Sequence, residues 1–250
     1  MSPPADVLVF GPHPDDVELF CGGAILRAVD QGQRVVVADL TAGERASRGT
    51  PELRAQEASR AAEVLGLAER ENLELPDLAL NASDETQLAV VTECIRRHRP
   101  RLVWSPPPKA RHPDHFAAHH LVRDAVFRAG VGGWKSASPR HRVEFWCAYL
   151  MRVELRPSFL LNTSGTAERK RRAIECYASQ LSTGSGPQTL LARSGSLAAI
   201  EARDRYFGAC LAVETAEPMW CEGLLGFDQA APSFSGPIRG PGFFMTGGGA

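Results

Sequence analysis

Residues 6–16, Asp6-Val7-Leu8-Val9-Phe10-Gly11-Pro12-His13-Pro14-Asp15-Asp16, decide the fold and point to its chemistry. The apolar run 6–10 reads as a strand, and it passes directly into a turn that carries a histidine and two aspartates, stiffened by proline. Beyond the turn, residues 19–31 carry apolar side chains at helical spacing up to Gly32, and residues 34–40 read as a second buried strand. Strand, helix and strand in that order predict a parallel βαβ unit, with the acidic turn at the carboxyl end of the first strand.

The same alternation continues. Thr50-Pro51-Glu52 is a helix start, with a hydroxyl N-cap, proline in the first turn and an early acid, and Gly66 is its C-cap. Asp84 caps a helix over 85–98 that Pro100 follows, and 102–104 reads as a central strand. Further helices are predicted over 113–128, 167–180 and 197–207, and a strand over 143–151. The segment 181–196, rich in Ser, Gly and Thr, reads as a long loop, and 229–250 as a Gly/Pro-rich, poorly ordered tail. The expectation is a single domain over 1–228 followed by that tail.

A second cluster, Arg111-His112-Pro113-Asp114-His115, follows the apolar run 101–105 as the first follows 6–10. In an open parallel sheet, ligands bind at the carboxyl ends of strands where the strand order reverses, so topology brings the two clusters to one crevice. A catalytic zinc keeps three protein ligands and an open position. His13 and Asp16 reach an ion from one turn, and one histidine of the His112/His115 pair completes the set. Taken singly, each of these histidines is more often a loop or cap residue than a ligand, and Asp15-Asp16 alone could cap the helix that starts near Glu18; the pairing of His with Asp at two strand ends carries the metal reading. His98, His119, His120 and His141 are expected to be packing or surface residues, and Cys21, flanked by Phe20 and Gly22-Gly23, a position of close helix packing.

Composition narrows the partners. The 250 residues are 44% hydrophobic and 23% charged, as in a globular protein, and the net charge of -1 supplies no field for nucleic acid or anionic membrane. The six cysteines form no C-x-x-C pair, and residues 1–6 lack the basic start of a secretory signal. These features predict a cytoplasmic protein that acts on a small molecule, with neither nucleic acid nor membrane as partner.

The two motifs, of the form (A/G)-H-P-D-D and H-P-D-H, resemble those of the LmbE-like, or PIG-L, family of zinc-dependent de-N-acetylases. The stretches 39–44, 49–54, 70–77, 177–180 and 201–205 look like the branch that makes bacillithiol, and the resemblance covers most of 6–228. It implies a Rossmann-like three-layer α/β sandwich with a mainly parallel sheet. It makes His13, Asp16 and His115 ligands of one Zn2+ per chain, with Fe2+ as an alternative metal. Asp15 becomes the general base, His112 the partner of the oxyanion, Asp114 the residue that orients His112, and Arg54 a grip on the sugar. The implied reaction removes acetate from an N-acetylglucosamine conjugate, N-acetylglucosaminyl malate in that branch, in a homo-oligomeric enzyme. The segments after Leu181 and around Met219-Trp220-Cys221 resemble the branch less. Other readings are a deacetylase of another N-acetylated sugar conjugate, a non-haem Fe(II) oxygenase, whose facial triad also uses two His and one carboxylate, and a non-catalytic sugar-binding protein.

Overall fold

The chain runs β1 (Val7–Gly11), α1 (Asp16–Asp30), β2 (Val35–Thr41), α2 (Pro51–Leu65), β3 (Glu69–Leu75), α3 (Glu85–His98), β4 (Leu102–Ser105) and α4 (Pro113–Ala129). It continues as β5 (Phe145–Tyr149), β6 (Phe159–Asn162), α5 (Ala167–Glu175), α6 (Ala178–Leu181), α7 (Ser196–Cys210) and β7 (Ala216–Trp220), then the short strands β8 (Gly226–Phe227) and β9 (Ile238–Arg239). This is a computed structural model that describes residues 3–152, 155–181, 196–223, 225–227 and 238–239. The seven-stranded sheet has the order β3-β2-β1-β4-β5-β7-β6. Its first five strands are parallel, and β7 and β6 complete it antiparallel.

Side-chain alternation along the buried strands explains the three layers. Val7 and Val9 of β1, with Val35 and Val37 of β2, face a core shared with Ile25 and Leu26 of α1. Leu8, Phe10, Val36 and Ala38 face the opposite core, against Leu88, Val91 and Ile95 of α3 and Leu121 and Val122 of α4. A strand buried on both faces reads as a continuous apolar run, which is why β1, β2 and β4 are visible in the sequence. The result is the predicted α/β sandwich with a mainly parallel central sheet.

Caps set the helix ends where expected. The Thr50 side chain accepts from the Leu53 N–H, Gly66 takes a left-handed conformation at φ 71, and Asp84 accepts from the Thr86 and Gln87 N–H groups. The helix predicted over 167–180 is instead two, α5 and α6. Tyr177, between them, is buried against Ala58 and Ala61 with its hydroxyl on Glu18 (3.2 Å), and Glu57 takes the Ser179 N–H and hydroxyl. These contacts turn the chain where the local pattern continues a helix.

Helix α1 starts three residues before the predicted range and is broken at Cys21 (φ -140, ψ 17). The Gly23 and Ala24 N–H groups donate to the buried Glu217 carboxylate at 3.0 and 2.7 Å. A Cβ on Gly23 would lie 3.0 Å from the Thr163 side chain, which is the close packing expected around Cys21. All six cysteines are free, and Cys21, Cys94, Cys147 and Cys221 are buried. Among the described residues no helix is long and apolar enough to cross a membrane. The loop expected over 181–196 and the tail over 229–250 lie outside the described residues, apart from Leu181 and Ser196 at helix ends and the β9 residues paired with β8.

Candidate metal centre

β1 pairs with β2 on one side and β4 on the other, so its carboxyl end is the point where the strand order reverses. The chain turns sharply there. A Cβ on Gly11 would meet Asp39 Oδ1 at 3.1 Å and Val17 Cγ1 at 3.2 Å, and Asp15 takes φ 122, a strained conformation for a side-chain-bearing residue. The turn is held from within: Asp16 N–H donates to the His13 carbonyl (3.3 Å), and His13 N–H donates to Asp16 Oδ2 (3.1 Å). Arg54 holds it from outside, donating to the Pro14 carbonyl and pairing with Asp15 Oδ2 at 3.2 Å. Arg54 reaches this place because residue 43 is glycine: a Cβ there would lie 2.3 Å from Arg54 Nη1.

The second cluster opens α4. His112 is its N-cap, with ring Nδ1 accepting the Asp114 N–H at 3.2 Å, and Pro113 occupies the first turn. An accepting Nδ1 puts the proton of the neutral ring on Nε2. This arrangement aims Asp114 and His115 at the first turn. Asp16 Oδ2 lies 3.2 Å from both His13 Nδ1 and His115 Nε2. The ring centroids of His13, His112 and His115 are 4.9 to 5.4 Å apart.

The sheet thus brings His13, Asp15, Asp16, Arg54, His112, Asp114 and His115 together. It also places Asp114 in contacts the motif alone does not specify. The Asp114 carboxylate lies 3.2 Å from His13 Nε2 and accepts the Leu78 and Leu80 N–H groups at 2.7 and 3.3 Å, while its backbone N–H serves His112. Two further residues belong to the site. Asp77 Oδ1 lies 3.2 Å from His13 Nε2, and Met151 Sδ lies 2.9 Å from His115 Nδ1. Each follows the carboxyl end of a parallel strand, β3 and β5, the position that would have singled them out.

Electrostatics show what the cluster lacks. Asp15, Asp16, Asp77 and Asp114 gather with Arg54 as the lone guanidinium paired to them among the described residues. Burial pushes the Asp15 carboxyl up to about 7 against the pull of Arg54, with Asp16 adding to the rise. Burial also works to raise Asp16, but His115 and then His13 outweigh it and hold that carboxyl below the usual range. For His13, burial opposes the charged ring, yet hydrogen bonds to Asp114, Asp16 and Asp77 raise its pKa well above the ordinary value. Burial, and then His13 and His115, lower the His112 pKa.

A divalent cation fits this donor set. The ligand atoms of His13, Asp16 and His115 lie within 4.8 Å of one another, and an alternative set shares His13 with His112 and Asp114. Tetrahedral zinc with bonds of about 2.1 Å spaces its donors roughly 3.4 Å apart, close to the two spacings around Asp16 Oδ2. Acid-rich surroundings with one guanidinium supply the compensating charge. The other histidines stand apart from this cluster. His119 is buried with Nδ1 on the Pro106 carbonyl (2.9 Å), and burial lowers its pKa to about 4. His141 Nε2 lies 2.7 Å from the Pro100 carbonyl, and His98 pairs with Glu71.

Comparison with known proteins gives a consistent picture. Residues 8–126 match the family model PIG-L, GlcNAc-PI de-N-acetylase. Diacetylchitobiose deacetylase of Thermococcus kodakarensis is 31% identical over 192 residues, 70% of this chain and 69% of that one. A probable N-acetyl-α-D-glucosaminyl L-malate deacetylase 2 of Bacillus cereus is 34% identical over 49% of this chain and 61% of its own. A 4-oxalmesaconate hydratase of Pseudomonas putida is 29% identical over 72% of this chain and 75% of its own. Among solved structures, the conserved protein TT1542 of Thermus thermophilus superposes with a TM-score of 0.83 at 36% identity, covering 92% of this chain and 100% of that one.

Proposed function

This chain belongs to the PIG-L family of de-N-acetylases, and from that premise we propose that it is a zinc-dependent hydrolase that removes acetate from N-acetylglucosaminyl malate. The observation that carries the reading is the placement of Asp15, on a strained turn, between a three-residue donor set and the Arg54 guanidinium. His13, Asp16 and His115 would hold the ion, one per chain. Bound there, zinc supplies Lewis acidity toward water and the amide carbonyl.

The chain's own groups do the rest. Asp15 takes the proton from the attacking water as general base. His112, neutral and with its proton on Nε2, donates a hydrogen bond where the oxyanion develops, a contribution commonly worth about 3 kcal/mol for one well-placed donor. The Asp114 N–H fixes that tautomer, and its carboxylate ties His13 to the loop at Leu78 and Leu80. Arg54 is only 4% exposed and pairs with Asp15, a placement that supports holding the base. The grip on a sugar hydroxyl expected of it requires the guanidinium to share that pair with substrate.

The malate assignment is supported by charge and by relationship. Arg45, whose backbone N–H donates to Asp77, and Arg111, next to His112 in the sequence, are exposed cationic residues beside the cluster that a dicarboxylate would meet. The Bacillus relative points the same way. We take 1–228 as the catalytic unit, in a cytoplasmic homo-oligomer. The observed α/β sandwich differs from the jelly roll in which facial-triad oxygenases usually sit. The hydratase relative favours a second reading, hydration of an unsaturated acid at the same centre. Acetate release from acetylated glucosamine conjugates, with malate, inositol or no aglycone, tests the proposal: release that is greatest with malate, stopped by chelator and restored by zinc, is expected. Protein that holds zinc yet frees no acetate from any of them would overturn it.

A further inference from the structure

We propose that Glu71, Cys94 and His98 form a second site, for a borderline-soft divalent cation such as Zn2+, between the edge strand β3 and α3. The site is independent of the catalytic centre. Cys94 and His98 are four residues apart on α3, so both project from one face of the helix. Glu71 comes from β3. Their donor atoms lie within 4.8 Å of one another: Cys94 Sγ is 3.3 Å and His98 Nε2 is 2.6 Å from the same carboxylate oxygen, Glu71 Oε1.

The division of labour at Glu71 is what makes this a cation site as well as an ion pair. Arg97 binds the other oxygen, Oε2, so Oε1 can turn to a metal without the guanidinium leaving. Zinc bonds of roughly 2.0–2.3 Å to O, N and S place tetrahedral donors about 3.3–3.6 Å apart. The Sγ to Oε1 spacing already matches, and the shorter Nε2 to Oε1 contact opens by under ~1 Å when an ion replaces the shared proton. The thiol proton leaves to solvent, and the proton on His98 Nε2 moves to Nδ1, so that the neutral imidazole ligates through Nε2. Water fills the fourth position. Cys94 and His98 are buried, but the Glu71 side chain is 22% exposed and that of Arg97 47%, which gives an ion a way in at the sheet edge. A thiolate with imidazole selects zinc-like metals over magnesium or calcium. Such an ion would brace β3, the strand that leads to Asp77.

Cobalt titration of the full chain separates this site from the catalytic one, whose proposed ligands include no thiolate. The expected result is a second equivalent of Co2+ accompanied by thiolate-to-cobalt charge-transfer absorption in the near ultraviolet. Cys94→Ala and His98→Gln should lose both. Asp16→Asn, which removes one catalytic donor, and Cys210→Ser, which removes the exposed thiol, should keep the absorption. Should Cys94→Ala fail to fold, Glu71→Gln provides the same reading. Wild-type protein that shows no thiolate band at saturating cobalt, or a band that survives in both His98→Gln and Glu71→Gln, overturns the site and leaves an ion pair only.

Discussion

Two buried charged clusters sit at the irregularities of helix α1, and they differ in how their charge is balanced. At the start of the helix, the strained Asp15 turn gathers Asp15, Asp16, Asp77 and Asp114 around His13 with Arg54 as the paired guanidinium. At the Cys21 break, Glu217 caps the freed N–H groups and is matched by Lys170 at 2.5 Å, which also meets Asp204 at 2.6 Å. Arg203 pairs with Asp204 and donates to the carbonyls of Phe20, Leu150 and Met151. The second cluster carries its own counter-ions and is a closed structural device. The first has more carboxylates than cations, opens at the strand ends, and calls for an ion from outside.

The comparison is broken most severely by changing the first cluster. His13→Ala and His115→Ala are expected to lose both the catalytic equivalent of metal and turnover. Asp15→Ala should keep the metal, measured by elemental analysis, while turnover falls by roughly 10²–10⁴-fold, the usual share of a positioned base. In the second cluster, Lys170→Met leaves Glu217 and Asp204 buried without their cation. Removing one partner of a buried pair costs about 3–5 kcal/mol, read as a lower denaturant midpoint, with metal content per folded chain unchanged. A Lys170→Met variant of ordinary stability but reduced metal content would exchange the roles we give the two clusters.

His119 sharpens the contrast on one helix. It lies a turn beyond His115, and burial outweighs the hydrogen bond to Pro106 in lowering its pKa to about 4. The unfolded chain, with an ordinary histidine near 6.5, therefore binds the proton first as pH falls. Stability present above about pH 6.5 should be lost progressively toward pH 4, by on the order of 2–3 kcal/mol, and His119→Gln should flatten that part of the pH–stability curve. The smallest effect is expected from Gly43→Ala. Its Cβ would collide with Arg54 and its φ of 64 disfavours a side chain, so about 1 kcal/mol of stability should be lost, with a fall in kcat larger than any change in KM. An unchanged kcat would separate Arg54 from the base.

Local signals made much of this legible. The runs leading into His13 and His112 mark strands buried on both faces, and Thr50, Gly66 and Asp84 act as the caps their positions predict. What stayed hidden depends on distant partners. β3, Glu-Arg-Glu-Asn-Leu-Glu-Leu, is an edge strand with no apolar run, and β7 contains Pro218 and a buried Glu217. Glu217 is legible as a cap only beside Gly23, 194 residues away in sequence. The Asp77 and Met151 contacts likewise arise only when strand ends converge. The Asp114 carboxylate, read in the motif as the partner of His112, meets His13 and the loop amides because α4 aims it inward.

The most direct test measures acetate freed from N-acetylglucosaminyl malate alongside bound zinc, in wild type, Asp15→Ala and His115→Ala. Wild-type turnover that follows occupancy of the catalytic zinc equivalent, Asp15→Ala that holds that equivalent without turnover, and His115→Ala that lacks both that equivalent and turnover are the predicted outcomes. Turnover that persists in Asp15→Ala, or zinc retained at full content in His115→Ala, would contradict the division between ligands and base.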